Sequence, residues 1–453
     1  MGIPTRPLNP TTLPWPAGPL TRYAIAGGAL IVVLYWVGEF ARHIGLRGNT
    51  KDFLAFYQAG RAVLEGSNPY HVLAAFYNPP WVAVWMAPFA TMPVEAAQVV
   101  WNVLGLAAVA ACGWICYRVV TKMAGRSPNT AAVAATVLAV MVFYPLRQNF
   151  DSVQSDVLPL VATFLCVVLD DGGHQFWAGV ALMPGLFDPH LIIGPCVYLL
   201  VRGRWRAVTG AIVGGLANTA LAAAVLGPSS ILEFVHRLGA AEAGWAAHPY
   251  QVTTIHTLLA AGLPVGVAYP VFFAIAAVAV VLAGWTMRRP GSVWRNLALC
   301  AALTDIVIPF GFAYDFAPAL LALPWVVERL QEGRLDGWTI ALAVFGLSIY
   351  FGGVSWVRYP VSHDLLHSAI PLCVFPALWV WRDKLAMSRQ ASALALTLWM
   401  VSDVVFGGGN PFFPLWMDSL AFNLGVAALL AAMLLAAASA QRLPAVGLCA
   451  EPD

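Results

Sequence analysis

The residue of this sequence best placed to do chemistry is Asp52, because it begins a short amphipathic segment between two long apolar ones. The larger apolar side chains of the segment fall near one face at helical spacing, which predicts a helix lying at a membrane surface. They are Phe53, Phe56, Tyr57 and Leu64, and Gly60 falls near the same face. Gly66 and the pair Asn68-Pro69 predict the end of this helix and a turn. By pattern alone, Asp52 is either a solvated residue favoured by the helix dipole or a carboxylate that serves a substrate.

Other ionisable residues lie near the outer ends of later apolar segments. Arg358, His363 and His367 share one predicted loop, and the two histidines are four residues apart, as on one helical face. This spacing is compatible with a phosphate clamp, with metal ligation or with a solvated loop, and we expect no metal site. Arg358 is the better phosphate ligand, since a guanidinium is always charged and binds two oxygens at once. Asp305, midway along an apolar run, is either buried against a partner or lines a cavity.

The segment 228–264 mixes aromatic and polar side chains, a composition suited to stacking on a sugar and hydrogen-bonding its hydroxyls. Tyr250 and Gln251 are its candidates for contact with a donor or an acceptor. Aromatic residues also gather at bilayer interfaces because their rings are amphipathic, so an anchoring role stays open.

Membrane helices must position these residues. The 453 residues are 60% hydrophobic and only 10% charged, and their mean hydropathy is +0.75; soluble domains have about 45–50% apolar and about 25% charged residues. The 24 Lys and Arg nearly balance the 22 Asp and Glu, which argues against a nucleic-acid-binding surface. Seven cysteines fall almost entirely within apolar runs, so we expect packed thiols and no disulfide.

Apolar segments long enough to cross about 30 Å of hydrocarbon predict an all-α, polytopic fold of about twelve spans. They lie at 23–41, 94–120, 130–147, 155–170, 205–227, 265–286, 294–311, 313–330, 337–356, 365–381, 391–408 and 418–440. The stretch 176–201 differs, because Pro184, Gly185 and Pro189 interrupt its middle, where a lipid-facing helix could not leave main-chain groups unpaired. We predict that it forms a hairpin of two half-helices whose flanks lie on the same side.

The positions of Lys and Arg support this threading, because these residues accumulate in short cytoplasmic loops. With the N-terminus inside and 176–201 as a hairpin, 17 basic residues fall on the cytoplasmic side and 7 on the outer side. A single span at 176–201 would move the basic clusters at 288–295 and 382–389 outside. We therefore predict cytoplasmic termini and a first apolar run that is retained as an anchor.

The region around Asp52 resembles the opening motif of glycosyltransferase family 87. These are polytopic GT-C enzymes that include mycobacterial mannosyltransferases dependent on polyprenyl-phosphate mannose. The similar run reads Asp52-Phe53, then Tyr57-x-Ala59-Gly60-x-Ala62-x-Leu64-x-Gly66-x-x-Pro69-Tyr70, then Tyr77-x-Pro79-Pro80. Val153-Gln154 and Tyr314-Asp315 resemble two shorter family motifs in the same order. The resemblance implies a GT-C catalytic module over 1–330, with outer loops 42–80 and 228–264, and further helices of the same membrane domain over 331–453.

For Asp52 the resemblance implies the role of general base. In GT-C enzymes a carboxylate at the start of the first outer loop takes the acceptor hydroxyl proton while the oxygen attacks the anomeric carbon of a lipid-phosphate sugar. A positioned base contributes about 10²–10⁴-fold, and one base with backside attack is sufficient for inversion. The residues expected to bind sugar or acceptor are Tyr57, Tyr70, Gln154, Asp188, Tyr250 and Gln251.

The sequence departs from the family where the donor phosphate would bind. Relatives usually carry a lysine at the position of Asp188, just before Pro189, and an aspartate cannot neutralise a phosphate. Either a neighbouring residue neutralises the phosphate in place of the lysine, or the donor differs, or activity has been lost. Asp188 would then bind sugar hydroxyls, pair with Arg147 or hold a divalent cation. His190 is either a phosphate ligand or a histidine packed within the hairpin. The predicted donor-phosphate ligands are Arg147, His190, Arg358, His363 and His367.

These observations predict an inverting glycosyltransferase of the bacterial cytoplasmic membrane, with its active site facing the periplasm or exterior. The expected partners are a polyprenyl-phosphate sugar, with mannose as the first candidate, a glycolipid or cell-envelope glycan acceptor, and membrane lipids, but no nucleic acid. Neither a nucleotide-binding motif nor a DxD pair in an outer loop is present, so we expect no nucleotide-sugar donor, no metal and no cofactor. The alternative is a carrier or flippase that binds its substrate at the 176–201 hairpin.

Overall fold

The computed structural model of the chain describes residues 51–74, 76–123, 143–245, 251–332, four positions between 339 and 346, and 416–439. Its regular elements are all helical, with no strand in these ranges. The α-helices are α1 (Lys51–Leu64), α2 (Pro69–Val72), α3 (Pro80–Met86), α4 (Val94–Met123), α5 (Tyr144–Asp151), α6 (Val157–Asp171), α7 (Gln175–Val180), α8 (Ile193–Val201), α9 (Trp205–Leu226), α10 (Ser229–Trp245), α11 (Thr254–Ala260), α12 (Val265–Arg288), α13 (Val293–Val307), α14 (Ala322–Glu332) and α15 (Trp416–Ser439). The 3-10 helices are Phe89–Thr91, Pro184–Phe187, Pro189–Ile192 and Ala313–Leu321.

Three helices of the described part are long and apolar enough to cross a membrane. They are Val94–Ile115 within α4, Trp205–Leu226 and Val265–Arg288. At most 28% of their apolar windows is buried inside the protein, as expected of helices that face lipid. The predicted segments 23–41, 130–147, 337–356, 365–381 and 391–408 lie wholly or largely outside the described residues. The total of twelve spans therefore stays a prediction.

The stretch 176–201 is broken where its prolines and glycine interrupt it. Helix α7 is followed by the two short 3-10 helices and then by α8. At the base of this hairpin, Arg204 Nε lies 3.1 Å from Asp170 Oδ2, and the Tyr198 hydroxyl donates to the same oxygen at 2.6 Å. Since Asp170 precedes the hairpin and Arg204 follows it, the chain enters and leaves at one end, as the hairpin prediction requires.

Glycines allow the hairpin to pack in main-chain contact with its neighbours. A Cβ atom at Gly179 would lie 1.8 Å from the Ala207 carbonyl oxygen, and one at Gly194 would lie 1.9 Å from that of Cys300. Close backbone approach at small residues is how membrane helices gain dispersion contacts without a hydrophobic driving force. The hairpin is thereby held between α9 and α13, and its turn is fixed relative to both.

Helix α13 is the centre of the larger hydrophobic cluster, and every residue from Trp294 to Val307 is buried. It packs against α14 and α15, which contribute Trp325 and Met433 to the same cluster. A second cluster lies beneath α1 and includes Phe53, Phe56 and Phe187. The candidate site lies beside this second cluster.

Candidate active site

Helix α1 packs its apolar face against protein, and this fixes the position of Asp52 near its start. Phe53 and Phe56 are 0% and 5% exposed. A Cβ atom at Gly60 would lie 2.5 Å from the Met86 carbonyl carbon, so α1 crosses the end of α3 in main-chain contact. Leu64, predicted on the same face, is 52% exposed, because the packed surface does not extend to the last residue of the helix.

The end of α1 follows the prediction from Gly66. Gly66 has φ +69°, its N–H donates to the Val63 carbonyl at 3.0 Å, and the Ser67 N–H donates to the Ala62 carbonyl at 2.8 Å. These two bonds form a Schellman motif, which needs a left-handed residue and so favours glycine. The chain then turns into α2, whose first turn is capped by the Asn68 side chain through a 3.0 Å bond from the Tyr70 N–H.

The two predicted outer loops contact each other through α2 and α10. The Asn68 amide donates to Glu233 Oε2 at 2.7 Å, and Arg237 Nη1 and Nη2 donate to the carbonyl oxygens of Ala74 and Tyr70 at 2.7 and 2.5 Å. Loop 42–80 is thus attached to segment 228–264 by side-chain hydrogen bonds.

Asp188 is anchored by the aromatic residue that precedes it. The Phe187 ring packs edge-on against Phe56 of α1, with ring centroids 5.3 Å apart, and against Trp101 of α4 at 5.6 Å. The Asp188 carboxylate then accepts hydrogen bonds from the Ser155 hydroxyl and, at 3.3 Å, from the Asn78 amide. The residue at the usual lysine position is therefore held by two neutral donors.

The loop 152–156 between α5 and α6 brings Gln154 to Asp52. Gln154 Nε2 donates to Asp52 Oδ2 at 2.7 Å, and Trp101 Nε1 donates to the Gln154 carbonyl at 3.1 Å. Val153 has φ +52°, a left-handed conformation that is costly for a β-branched residue. Asn149 braces the loop by accepting from the N–H groups of Gln154 and Asp156 at 2.8 and 2.9 Å.

A fourth segment completes the group of carboxylates. Asp315 Oδ2 accepts from the Phe312 N–H at 2.6 Å, and the buried carboxyl groups of Asp315 and Asp156 lie within electrostatic reach of each other. Charging both of two neighbouring buried carboxyl groups is costly, which favours the protonated form of one of them. Tyr314 lies within electrostatic reach of Asp315, Asp52, Asp156 and Asp188. The four aspartates therefore form one electrostatic unit.

The environments of Asp52 and Asp188 differ. Asp52 is exposed, whereas Asp188 is half-buried in the turn of the hairpin, outside the helices long enough to span. Burial raises the pKa of Asp188 to about 6, while the hydrogen bond from Ser155 acts in the opposite direction. Within the described ranges, no group of three or more His, Cys, Asp or Glu side chains is arranged to hold a metal ion.

An apolar groove opens beside this site. Its cavity volume is about 120 Å³, and it runs between α4 and the 149–158 segment, where Gln154 and Ser155 line it. On the other side it is lined by Trp101, Leu104, Gly105 and Ala108. Leu104 is 54% exposed, so the groove opens on the lipid-facing surface of α4.

Other predicted site residues have structural contacts. The Tyr57 and Tyr70 hydroxyls donate to the carbonyl oxygens of Met92 and Asn78 at 2.9 and 2.5 Å, and both rings are buried. The buried Gln251 accepts from the Gly311 N–H at 3.1 Å and so braces the segment before Asp315. The His190 ring lies 4.5 Å from that of Phe310, and its Nε2 is buried with no hydrogen-bond partner among the described residues.

Five predicted ligands lie beyond the description in whole or in part. Arg147 is a residue of α5, but its side chain is outside the described structure, and the other four positions are outside it altogether: Tyr250, Arg358, His363 and His367. Conversely, no sequence pattern predicts a role for Asn78 or Ser155. The sequence feature that could have indicated them is their position next to a motif, since Asn78 precedes the Pro79-Pro80 motif and Ser155 follows Gln154.

Comparison with known proteins identifies the family. The model for glycosyltransferase family 87 matches residues 76–309, just over half of the chain. The matched stretch contains Asn78, Gln154, Asp156 and Asp188, and it ends before Asp315 and begins after Asp52. Comparisons with the curated proteins and with the solved structures gave no match. A match over half the chain, on a helical membrane scaffold, means that this chain belongs to glycosyltransferase family 87 and is a membrane glycosyltransferase.

Proposed function

We propose that this protein is an inverting glycosyltransferase that moves mannose from a polyprenyl phosphate to a glycolipid or cell-envelope glycan acceptor. The reaction takes place on the outer side of the bacterial inner membrane. Family membership supports glycosyl transfer, and one observation carries the proposed mechanism: Asp52, Gln154 and Asp188 come together from three segments that are far apart in the sequence.

Asp52 is the general base in this proposal. The 2.7 Å bond from Gln154 fixes the orientation of its carboxylate, and its exposure allows an acceptor hydroxyl to approach. The hydroxyl proton passes to Asp52 as the oxygen bonds to the anomeric carbon, and the bond from that carbon to the phosphate oxygen breaks on the opposite face. Polyprenyl phosphate leaves with the electron pair, so one displacement inverts the configuration.

Asp188 binds the sugar rather than the phosphate. Its carboxylate is held by Ser155 and Asn78, so it is placed to accept further bonds from sugar hydroxyls. A phosphate bonded to that sugar lies near the carboxylates and is repelled by those that are charged, so cationic side chains must offset its charge. We therefore assign the donor phosphate to Arg147, His190, Arg358, His363 and His367, as the sequence predicts.

The groove along α4 accommodates the lipid chain of the donor. An isoprenoid chain has no hydrogen-bonding groups, so an apolar channel that opens to the bilayer suits it. Gln154 and Ser155 line the groove, so a lipid chain bound there would have its head beside the carboxylates.

The test of this function is transfer of labelled mannose from polyprenyl-phosphate mannose to lipid acceptors by the purified protein in nanodiscs. Asp52→Asn should lower the rate by about 10² or more while donor binding survives, because a general base contributes about 10²–10⁴-fold. Asp171→Asn, an exposed acid beyond the far end of the hairpin, is the matched control and should leave the rate unchanged. Transfer by Asp52→Asn within a few-fold of wild type would refute the base.

Gln154→Glu tests the contact to Asp52 with almost no change of shape. It replaces the donating amide with a second carboxylate, which disfavours the charged form of Asp52. The rate should fall at neutral pH and recover towards higher pH, and a profile that coincides with wild type would exclude this contact from catalysis. A carrier would instead move the labelled lipid across vesicle bilayers without forming a glycosylated product.

A further inference from the structure

A cluster of arginines lies at the base of the hairpin, at the end of the molecule away from the four aspartates. Arg202 Nη1 donates to the Met287 carbonyl at 3.2 Å, and Arg288 Nε donates to the Val201 carbonyl at 3.1 Å, so the end of α8 is tied to the end of α12. Arg295 donates to the carbonyl oxygens of Arg289 and Pro290 at 2.6 and 3.0 Å. The charge placement of the whole sequence predicts that this end is cytoplasmic.

Positive charge is in excess here. Arg329, Arg202 and Arg289 all lie within electrostatic reach of the Arg295 guanidinium, and Glu328 is the acid that acts on it in the described part of the chain. Glu328 also accepts a 2.5 Å bond from the Ser292 hydroxyl. Bringing several like charges together is unfavourable unless an anion of another kind offsets them.

Two guanidinium nitrogens in the cluster are buried without an acceptor in the described structure. They are Nε of Arg295, a residue only 4% exposed, and Nη1 of Arg289. A buried charged donor without a partner costs more than an ordinary unmade hydrogen bond. These nitrogens therefore indicate an acceptor that is not part of the described chain.

The cluster lies at the level where phospholipid headgroups are found. Trp177, Trp205 and Trp285 are 61%, 67% and 49% exposed near the same ends of α7, α9 and α12, as aromatic residues are at a membrane–water interface. The Arg289 guanidinium carbon lies 3.3 Å from the centroid of the Trp285 ring. Arg289 thus faces the boundary between the protein and the lipid.

We propose that this arginine cluster binds the phosphate of an anionic phospholipid from the cytoplasmic leaflet. Basic pockets between membrane helices on this side are suited to such headgroups. A phosphodiester oxygen supplies the missing acceptor of Arg289 Nη1, while Arg202 and Arg295 add positive charge beside it, and the acyl chains lie along the exposed apolar faces of α9 and α12. The bound lipid would hold the base of the hairpin, while the proposed reaction takes place at its turn.

The experiment is lipid retention measured by native mass spectrometry of the full chain in detergent with equal amounts of dioleoyl phosphatidylglycerol and dioleoyl phosphatidylcholine. Wild type should retain phosphatidylglycerol about 25-fold over phosphatidylcholine, and Arg202→Gln with Arg289→Gln should abolish the preference, since each of the two basic residues near a lipid surface contributes roughly five-fold. Arg206→Gln, an exposed arginine at the same membrane face, is the matched control and should retain the preference.

Three results would overturn the proposal. They are equal retention of both lipids by wild type, an undiminished preference in the double variant, and complete displacement of phosphatidylglycerol by inorganic phosphate, which would identify a soluble anion as the ligand. If the double variant does not fold, the wild-type comparison of the two lipids and the phosphate competition still decide the matter.

Discussion

At the scale of single residues, three consecutive side chains organise the candidate site. Gln154 donates to Asp52, Ser155 donates to Asp188, and the Asp156 carboxyl group lies within electrostatic reach of that of Asp315. Neighbouring side chains in a regular helix or strand could not reach three separate partners that lie close together. The left-handed conformation of Val153 breaks the regular backbone just before them, so the local strain serves the geometry of the site.

Asp188 gives a prediction about stability and pH. Its raised pKa means that the folded protein holds this proton more tightly than the unfolded chain, so the associated stability is complete below the ordinary value of 3.8 and is lost as pH rises through about 6. Asp188→Asn removes a charge that partial burial disfavours and should raise the thermal unfolding midpoint at pH 7.5, with a smaller gain at pH 4.5. Transfer activity should fall.

Unfolding of the purified protein in detergent, followed at both pH values, checks this expectation, with Asp171→Asn as the control for an exposed acid. A lower midpoint for Asp188→Asn at pH 7.5 would contradict the prediction, because it would mean that neighbouring groups stabilise the charged carboxylate in the folded protein.

At the scale of elements, α4 contributes both an aromatic anchor and one wall of the groove. Trp101 holds Gln154 and Phe187, whereas Gly105, one turn later, leaves the space that the groove occupies. A Cβ atom at Gly105 would lie 3.2 Å from the Phe150 ring, so a larger side chain there must fill the groove or displace that ring.

Gly105→Ile should therefore raise the KM for a long-chain polyprenyl-phosphate sugar about ten-fold or more, because lost burial of a few methylene groups at about 0.8 kcal/mol each has that effect. A donor with a short, water-soluble chain should be affected much less. Gly113→Ile, two turns further along the same helix with nothing within 4 Å of its Cβ, is the matched control. Equal losses for both donors would place the lipid chain elsewhere.

At the scale of the whole molecule, the ion pair between Asp170 and Arg204 joins the two ends of the hairpin. The Asp170 side chain is 0% exposed, whereas that of Arg204 is 29% exposed. Removing Arg204 leaves a buried carboxylate with Tyr198 as its hydrogen-bond donor, but removing the charge of Asp170 leaves an arginine that can reach water.

Arg204→Gln should accordingly destabilise the protein by about 3 kcal/mol, and Asp170→Asn by clearly less. Denaturant or thermal unfolding of both variants measures the difference. Arg61→Gln removes an exposed pair, Arg61 with Glu65, whose side chains are 61% and 60% exposed, and should have no measurable effect. Equal losses for the two hairpin variants would mean that both charges are equally solvated.

The sequence alone was sufficient to predict features that depend on the local residue pattern and on the surrounding solvent. Its hydropathy requires a bilayer, and the breaks at Pro184, Gly185 and Pro189 predict the interrupted hairpin that the structure contains. The family resemblance, carried by the motif at Asp52, was confirmed by the match over residues 76–309. Such features need no knowledge of distant contacts, because helix breaking and membrane burial act on adjacent residues.

Tertiary structure decided which side chains meet. The sequence could not pair Gln154 with Asp52 across 102 positions, nor show that Asp188 is held by Ser155 and Asn78. The substrate roles of Tyr57, Tyr70 and Gln251 stay predictions. In the structure the two hydroxyls and the Gln251 amide oxygen bond to main-chain atoms, contacts that the sequence pattern could not show. Hydrophobic periodicity gives the face of a helix, but only the packing of one helix on another determines what that face contacts.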